Sequence, residues 1–599
     1  MSKLSKFLRS AATGLLSYNL LSFACCLIAA RPVSAQEKLS YYLEIDEDNW
    51  DGFNVTISID NNRQKSLYAF IPELNPLSKK SATKTGITRI SAIGDYGDTL
   101  AITQTAANTW SINTKKSNIV IISYKIKIQK DRALGECLSR RFARVDGASV
   151  FMCVREYDQM PIVLSVRVPH RWKLATGLSL TDQQFVYRAD NYRQLLNRPL
   201  YIAPFADIFF TIQNRTCYII LDGDKKFNYD SLSVLTHKVM TNQLQLFKDV
   251  PFDTYLFIFR MYPDNVRLVS KAYENCSIVY APVQTARDDL LKIVRLVASN
   301  FFQTWNGFRF YPIFGNTEAY NRDLIERHWF VSGVSDYYGH LNLVRANLIS
   351  ADEFIQEYVR LMNHLNQYAE YSNTPLSQLP LIFGNDPRVH QFIRLKGHLV
   401  GVLLDLQIRE LSKNQRSLDD VILFMNNWFG LNNGEYQDSD LPRAIKAVSG
   451  VDVSEFFDKY IDGVLPPPIE TIFQSAGIFF RSQSDTIADL GYIVISDETN
   501  EVLDLSEKGP LAFAGLRVGD RLLSLANHKL NSSRDLEQII DTLGVSSYID
   551  FSVQRDKLFL MLSARVKGRA SQRYYLSSST PKSDFQQFIR RTWLTNRSF

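Results

Sequence analysis

The chain reads Leu296-Val297-Ala298-Ser299-Asn300-Phe301-Phe302-Gln303-Thr304-Trp305-Asn306 over the stretch that decides its fold. Just before and within this stretch, apolar residues recur at helical spacing, namely Leu290, Ile293, Val294, Val297 and Phe301. That period is typical of an amphipathic helix with one buried face. Ser299 and Gln303 are four residues apart, so the helix places their side chains on one face.

A second stretch follows about thirty residues later and reads Trp329-Phe330-Val331-Ser332-Gly333-Val334-Ser335-Asp336-Tyr337-Tyr338-Gly339. The two stretches resemble consecutive signatures of the glycyl aminopeptidase family of zinc metallopeptidases, L-V-x-H-E-x-F-H-x-W-N and W-x-x-E-G-x-T-x-Y-Y. The resemblance implies a thermolysin-like catalytic domain that follows an N-terminal β domain and precedes a C-terminal PDZ domain.

Further matches extend this resemblance along most of the chain. Residues 146–152 read D-G-A-S-V-F-M and look like the family's N-G-A-S-x-F-M segment, and residues 396–406 read K-G-H-L-V-G-V-L-L-D-L and look like its K-G-x-L-V-x-x-L-L-D-L helix. Residues 512–520 resemble the A-x-x-A-G-L-x-x-G-D signature of bacterial-type PDZ domains. The predicted fold class is therefore multidomain α+β, with a β-sandwich-like domain, a thermolysin-like mainly helical domain and a PDZ domain.

The pattern of elements agrees with this order. Residues 36–210 carry short β-branched runs typical of strands, and residues 211–475 change to helical periodicity after Pro282. Ser417 and Asp420 have the spacing of a capping box, which predicts a helix start. Residues 476–566 return to a mixed pattern, and residues 567–599, rich in Ser, Arg and Lys, are predicted to form a basic flexible tail.

The resemblance fails at the positions that carry the chemistry. A zincin needs two His at i and i+4, a Glu beside the first, and a Glu from the next helix. The corresponding positions in this chain are Ser299, Gln303, Asn300 and Ser332. Neutral hydroxyls and amides are weak zinc ligands, and Asn300 cannot accept the proton of a metal-bound water. The sequence therefore predicts an inactive homologue with no metal cofactor, although the family binds zinc.

A different metal site is the alternative that would preserve activity. Glu326, His328 and His340 lie near Ser332 in the sequence, but no pair of them has a recognised ligand spacing. Under this alternative the chain is a zinc-dependent aminopeptidase; under the main prediction His328 and His340 are packed or surface histidines.

Two segments are predicted to bind peptides. Glu274 falls where the family has an edge strand beside its cleft, and its carboxylate would face a substrate amino terminus; a solvated turn acid is the alternative. Leu490, Gly491 and Tyr492 look like the loop with which a PDZ domain captures a chain terminus. The alternative for the PDZ domain is that it packs on its neighbour and binds nothing.

The ends and composition of the chain indicate its location. Lys3, Lys6 and Arg9 precede an apolar stretch that ends at Val33-Ser34-Ala35, which predicts a signal peptide over residues 1–35 and export to the periplasm or the exterior. A retained anchor is the alternative, and no later segment predicts a stable membrane span. The net charge of +6 is spread along the chain, which argues against nucleic-acid binding.

These observations lead to three hypotheses about function. The favoured one is an exported, non-catalytic pseudopeptidase that binds peptides or protein C-termini through its cleft and its PDZ domain. The second is the active zinc aminopeptidase, and the third is a structural or assembly factor.

Overall fold

The computed structural model of the protein describes residues 38–48, 50–72, 86–128, 137–223, 229–262, 268–314, 322–383, 386–432, 434–496, 499–506, 508–530 and 533–595. The predicted signal peptide over residues 1–35 lies outside these ranges. Within them, no helix has the length and apolar composition needed to cross a membrane.

The N-terminal part of the chain is a β domain, as predicted. Its seven-stranded sheet has the order β13-β14-β11-β1-β2-β7-β4, and two four-stranded sheets have the orders β10-β3-β6-β5 and β12-β15-β9-β8. Residues of β1 alternate between buried and half-buried, because successive side chains of a strand point to opposite faces. The elements are β1 (Leu39–Ile45), β2 (Gly52–Asp60), β3 (Ser66–Phe70), β4 (Ile87–Ile93), β5 (Ala101–Ala106), β6 (Thr109–Asn113), β7 (Ile119–Lys127), β8 (Cys137–Leu138), β9 (Ala143–Val145), α1 (Gly147–Val150), β10 (Cys153–Val154), β11 (Ile162–Arg167), β12 (Lys173–Thr176), β13 (Ser179–Leu180), β14 (Val186–Ala189), α2 (Tyr192–Asn197) and β15 (Leu200–Ala203).

The second domain begins with a five-stranded sheet of order β16-β17-β18-β20-β19. Its three central strands are parallel to one another, while β16 and β19 run antiparallel at the two edges. The strands are β16 (Ala206–Ile212), β17 (Arg215–Gly223), β18 (Thr254–Tyr262), β19 (Val269–Tyr273) and β20 (Cys276–Pro282), with a small pair β21 (Tyr311–Pro312) and β22 (Glu435–Tyr436) further along.

Helices make up the rest of the second domain and confirm the predicted helical region. They are α3 (Tyr229–Phe247), α4 (Val283–Asp288), α5 (Leu290–Phe302), α6 (Arg322–Glu326), α7 (Val334–Arg345), α8 (Ala351–Leu365), α9 (Leu379–Phe383), α10 (Pro387–Leu411), α11 (Leu418–Met425), α12 (Asp440–Ser449), α13 (Ser454–Tyr460) and α14 (Ile469–Gln474), with π-helical turns at Trp329–Gly333 and Asn426–Gly430 and a 3-10 turn at Asn366–Tyr371. The predicted capping box begins α11, where the Asp420 carboxylate accepts a hydrogen bond of 2.8 Å from the Ser417 backbone N–H.

Close backbone contact fixes the position of the π-helical turn before α7. A Cβ on Gly333 would lie 2.4 Å from the Cα of Gly397, which belongs to α10. Only two glycines allow the turn and the helix to approach so closely. The turn that carries Ser332 is thereby held against the middle of α10.

The C-terminal part has a small core of its own. Its elements are β23 (Phe479–Asp489), β24 (Ile493–Ile495), β25 (Val502–Leu505), α15 (Pro510–Phe513), β26 (Arg521–Leu525), β27 (His528–Lys529), α16 (Ser533–Thr542), β28 (Tyr548–Arg555) and β29 (Leu558–Arg565). Strands β27-β26-β28-β29 form one sheet, and β24 pairs with β25. The PDZ assignment of this region stays a prediction.

The prediction of a flexible tail over residues 567–599 is wrong for the part that the structure describes. Strand β30 (Lys567–Ser578) pairs with the whole of β23, and α17 (Asp584–Leu594) returns to the helical domain. The side chains of Ile589 and Trp593 are fully buried there. Burial of this apolar stripe, spaced at i and i+4, holds the segment in place despite its polar composition.

Candidate functional site

Of the four positions that differ from the family signatures, Ser299 lies at the interface between α5 and α7, whereas Asn300 faces β19 and β20. A Cβ on Gly339 would lie 2.9 Å from the Cβ of Ser299, and the Asn306 side-chain N–H donates to the Phe330 carbonyl at 2.8 Å. The two segments therefore run antiparallel, and Gln303 and Ser332 each lie between these two contacts along the chain. The correspondence of these positions to the family's ligand and base positions stays a prediction.

Two of the four side chains are occupied by contacts within the protein. The Asn300 side-chain N–H donates to Ser277 Oγ at 3.0 Å, and the Ser270 hydroxyl donates to Asn300 Oδ1 at 3.4 Å. Asn300 therefore joins α5 to β19 and β20. Ser332 Oγ donates to the His328 carbonyl one helical turn earlier, at 3.1 Å.

This donor set does not fit a zinc ion. Serine hydroxyls and a carboxamide are neutral, and zinc in proteins is bound by imidazole, thiolate or carboxylate groups. Among the described residues no group of three or more His, Cys, Asp or Glu is arranged to hold a metal ion. We therefore assign no chemical step to a metal at these positions.

The residues of the alternative metal site have different neighbours. His328 is buried, and its Nε2 lies 2.6 Å from Asp438 Oδ1. His340 instead packs against the Phe354 ring, with 4.4 Å between ring centroids. Glu326 is half-buried at the end of α6.

A cavity of about 600 Å³ lies beside Ser270, and the sequence reasoning missed it. Its wall is formed by β19, α5, α7, α8 and α10. Two of its charged residues are displaced by one helical turn from the replaced positions: Arg295 comes four residues before Ser299, and Asp336 comes four residues after Ser332. We call it the histidine cavity. The polar side chains of its wall include Ser270, Lys292, Arg295, Asp336, His340, Glu357, Tyr358, Arg360, His364, His390, Arg394 and His398.

Asp336 is the electrostatic centre of the histidine cavity. Its Oδ2 lies 3.0 Å from Arg295 Nη2 and 2.8 Å from His398 Nδ1. Burial opposes ionisation of this carboxyl, but the guanidinium groups of Arg295 and Arg394 and the hydrogen bond from His398 hold its pKa well below the usual range. Asp336 is therefore a buried carboxylate at neutral pH.

His398 continues this hydrogen-bonded chain. Burial lowers the pKa of His398 from its ordinary value despite the nearby carboxylate. A neutral ring that donates from Nδ1 to Asp336 has an acceptor at Nε2, and the Tyr358 hydroxyl lies 3.4 Å from that atom. The chain Asp336–His398–Tyr358 links α7, α10 and α8.

The predicted peptide-binding residue Glu274 lies in the turn between β19 and β20. Its Oε1 is 3.4 Å from Arg198 Nη2, and its backbone N–H donates to the Asn197 carbonyl at 3.3 Å. Glu274 therefore lies at the end of β19 that contacts the N-terminal domain, whereas Ser270 lies nearer the cavity. Its role in peptide binding stays a prediction.

The motif at Asp146 supports the same strand. Its Oδ2 accepts hydrogen bonds from Lys271 Nζ at 2.8 Å and from the Tyr273 hydroxyl at 3.0 Å. Burial opposes ionisation of Asp146, but Lys271 and Tyr273 hold the pKa below its ordinary value. The N-terminal domain thus fixes β19 through a buried ionic contact.

The predicted PDZ loop has an irregular backbone. Gly491 has φ of +74°, a conformation that favours glycine, and its N–H donates to Asp489 Oδ1 at 2.9 Å. Leu490 is buried in the C-terminal core. The Arg388 guanidinium lies over the Tyr492 ring, 4.8 Å from its centroid, so this loop contacts the start of α10.

Comparison with protein families and known structures gives consistent matches. The Peptidase M61 N-terminal domain matches residues 40–204, and the M61 glycyl aminopeptidase domain matches residues 292–379. An aminopeptidase N family protein from Idiomarina loihiensis has 17% identity and a TM-score of 0.75, covering 93% of this chain and all of that one. An M1 zinc metallopeptidase variant from Deinococcus radiodurans, bound to a Tyr-Ser-Ala substrate, has 11% identity and a TM-score of 0.45, covering 72% and 94%. Comparison with curated proteins gives no match.

These matches overturn the prediction that the chain is not an enzyme. The glycyl aminopeptidase domain matches across residues 292–379, a range that contains all four replaced positions. The fold likeness extends over 93% of the chain to an aminopeptidase N family protein. Substitutions at three ligand positions and one general-base position therefore do not separate the chain from the peptidases.

Proposed function

Because the chain belongs to the M61 glycyl aminopeptidase family, we propose that it acts on peptides and binds them along β19. The position of this strand supports the proposal. It lies at an edge of the five-stranded sheet, and among the described strands only β20 pairs with it. An edge strand offers backbone N–H and C=O groups to which an extended peptide can add as a further strand.

Glu274 would contribute recognition of the peptide's amino group. Its side chain retains 35% exposure, and its ionic partner, Arg198, lies at the long distance of 3.4 Å. A partly exposed carboxylate at the end of the strand can attract a charged amino terminus. The residues at positions 299, 300, 303 and 332 do not fit zinc, so the proposal assigns peptide recognition and no step through a metal.

The proposal is tested with short glycyl peptides on the full-length protein. We expect saturable binding by calorimetry, tighter for peptides with a free amino group than for their N-acetylated forms. Release of the N-terminal residue and bound zinc are measured on the same samples. Glu274→Gln should reduce the preference for the free amine, whereas the exposed control Glu455→Gln on α13 should leave it unchanged. Absence of binding by any glycyl peptide would overturn the proposal.

We further propose that the loop 490–492 binds the C-terminal carboxylate of partner proteins, as a PDZ domain does. In support, Gly491 turns the chain immediately before β24, and β24 pairs on one side only among the described strands. Peptides with a free C-terminus should bind the full-length protein more tightly than the same peptides with an amidated C-terminus. The variant Gly491→Val should weaken this preference.

Export is also part of the proposal and rests on the sequence of residues 1–35. Sequencing the N-terminus of the protein recovered outside the cytoplasm tests it. A mature chain that begins after Ala35 is expected, and an intact N-terminus on the exported chain would contradict cleavage.

A further inference from the structure

The histidine cavity has an excess of positive charge. Its cationic groups are Lys292, Arg295, Arg360 and Arg394, and its carboxylates are Asp336 and Glu357. Its four histidines, at positions 340, 364, 390 and 398, all have pKa values that burial lowers, to about 4 for His390. They are therefore mainly neutral at pH 7, and the fixed cations of the wall outnumber its carboxylates by two. One of these cations, Lys292, pairs at 3.2 Å with Asp289, which lies outside the wall.

The two carboxylates use only part of this positive charge. Asp336 pairs with Arg295, and Glu357 pairs with Arg295 at 3.3 Å and with the exposed Arg360 at 2.7 Å. Arg394 has no ion pair among the described residues, and its Nε is buried without a hydrogen-bond partner there. The Arg394 guanidinium therefore has no ion pair of its own among the described residues, although its charge helps to keep Asp336 ionised.

His340 supplies a second polar group without a partner. Its side chain is 97% buried, since the residue retains 3% exposure, and Nδ1 has no hydrogen-bond partner among the described residues. Burial, then the charge of Arg295 and the proximity of His398, hold its pKa well below the ordinary value, so the ring stays neutral. A buried polar atom without a partner costs about 1–3 kcal/mol, and a ligand that hydrogen-bonds to it removes this cost.

The remaining wall is suited to the carbon atoms of a ligand. Leucine side chains line it at positions 268, 296, 361 and 395. The volume of about 600 Å³ lies within the range of small-molecule sites. Because Ser270 of β19 belongs to the same wall, the cavity adjoins the strand along which a peptide is proposed to bind.

We propose that the histidine cavity binds a carboxylate of a peptide, with Arg394 as its ionic partner and His340 as a hydrogen-bonding group. This inference rests on the proposed function for the identity of the ligand. The carboxylate that pairs with Arg394 can be the C-terminal carboxylate of the peptide or the carboxylate of an acidic side chain. A strongly hydrated cation has no acceptor set there, because both carboxylates already have cationic partners.

The first test uses a small anion that does not depend on peptide binding along β19. N-acetylglycine and its amide have the same size, and ligand-observed NMR measures their binding to the full-length protein. We expect at least about tenfold tighter binding of the acid, since a charge-assisted hydrogen bond exceeds a neutral one by roughly that factor. Arg394→Met should abolish the difference, whereas Arg443→Met, an exposed arginine on α12, should preserve it.

The second test identifies the source of the carboxylate. A glycyl tripeptide with a free C-terminus, its C-terminal amide, and an amide with Glu at its last position are compared by calorimetry. A preference for either acid that Arg394→Met removes supports the inference and names the source. Equal binding of acid and amide in both tests overturns it, even if peptides bind. If no peptide binds while N-acetylglycine does, the cleft proposal fails and the carboxylate site stands.

Folding of the variants is checked independently. His340→Gln keeps a polar side chain of similar length and provides a second variant if Arg394→Met loses its native circular dichroism. Undiminished discrimination between N-acetylglycine and its amide in a folded Arg394→Met, or in a folded His340→Gln if Arg394→Met does not fold, would overturn the assignment.

Discussion

Trp593→Ala is expected to destabilise the helical domain, although the residue lies six positions from the C-terminus. The Trp593 side chain is fully buried, and its ring lies 5.4 Å from the Phe354 ring of α8. Its Nε1 donates to the Tyr337 hydroxyl at 2.8 Å, and its carbonyl accepts from Arg345 Nε at 3.1 Å. Helix α17 is thereby fixed to α7, the helix that carries Asp336 and His340.

The magnitude follows from the loss of a buried aromatic side chain. Replacing a core Trp by Ala typically costs about 3–5 kcal/mol, and an indole that buries about 200 Å² at about 25 cal/mol per Å² gives a similar ~5 kcal/mol as an upper estimate. The Tyr337 hydroxyl keeps its donation to Asp405 Oδ2, so the variant does not leave it without a partner. Trp593→Phe keeps most of the packing and should cost about 1 kcal/mol.

The assay is native-state hydrogen exchange of the α7 amides, because a chain of several domains does not unfold in two states. Trp593→Ala should lower the opening free energy of α7 by about 3 kcal/mol or more. Phe585→Ala on the same helix, where the side chain is 38% exposed, should change it by less than ~0.5 kcal/mol. A loss below ~1 kcal/mol for Trp593→Ala, or one equal to that of the control, would refute the reasoning.

Three further predictions concern charge and metal. Asp336→Asn should cost about 1–3 kcal/mol at pH 5–8, because it removes the charged acceptor of His398 and one of the two carboxylates that pair with the half-buried Arg295. Since the folded pKa of Asp336 is depressed, this difference in the opening free energy of α7 should shrink as the pH falls below about 4. Burial lowers the pKa of Lys396 to about 8, so Lys396→Met should be more stable than the native chain at pH 7. This difference in the free energy of unfolding should close between pH 8 and about 10.5, because the unfolded chain binds more protons than the folded chain in that range. Restoring the family ligands should raise the zinc content by about one ion per chain in elemental analysis; unchanged zinc content would contradict the correspondence of these positions to the family's ligand positions. The restored variant combines Ser299→His, Asn300→Glu, Gln303→His and Ser332→Glu.

Much of the fold follows from local sequence features. The capping box at Ser417 and the amphipathic run that ends at Phe302 are each specified within about a dozen residues, and both helices form where the pattern predicts them. The prediction of a flexible C-terminal segment is wrong because it depends only on the polar composition of that segment. The signal was nevertheless present, since Ile589 and Trp593 have the i, i+4 spacing of a buried stripe.

The histidine cavity could not be predicted in the same way. Asp336 and His398 are 62 positions apart, and the contact between them depends on how α7 packs on α10. Neither residue is part of a motif with a recognised ligand spacing. Only the tertiary structure therefore shows that they are linked by a hydrogen bond. The one local feature of the sequence that points to the cavity is the position of Asp336, one helical turn after Ser332.

The replaced positions have acquired contacts that stabilise the cleft itself. Asn300 joins α5 to Ser270 and Ser277, and so braces the edge strand from the helix side. Asp146 braces the same strand from the N-terminal domain. Two buried polar atoms without hydrogen-bond partners among the described residues, His340 Nδ1 and Arg394 Nε, belong to residues of the cavity wall. A ligand that enters along β19 would therefore approach both of these groups, so we expect the histidine cavity to contribute to which peptides the protein selects.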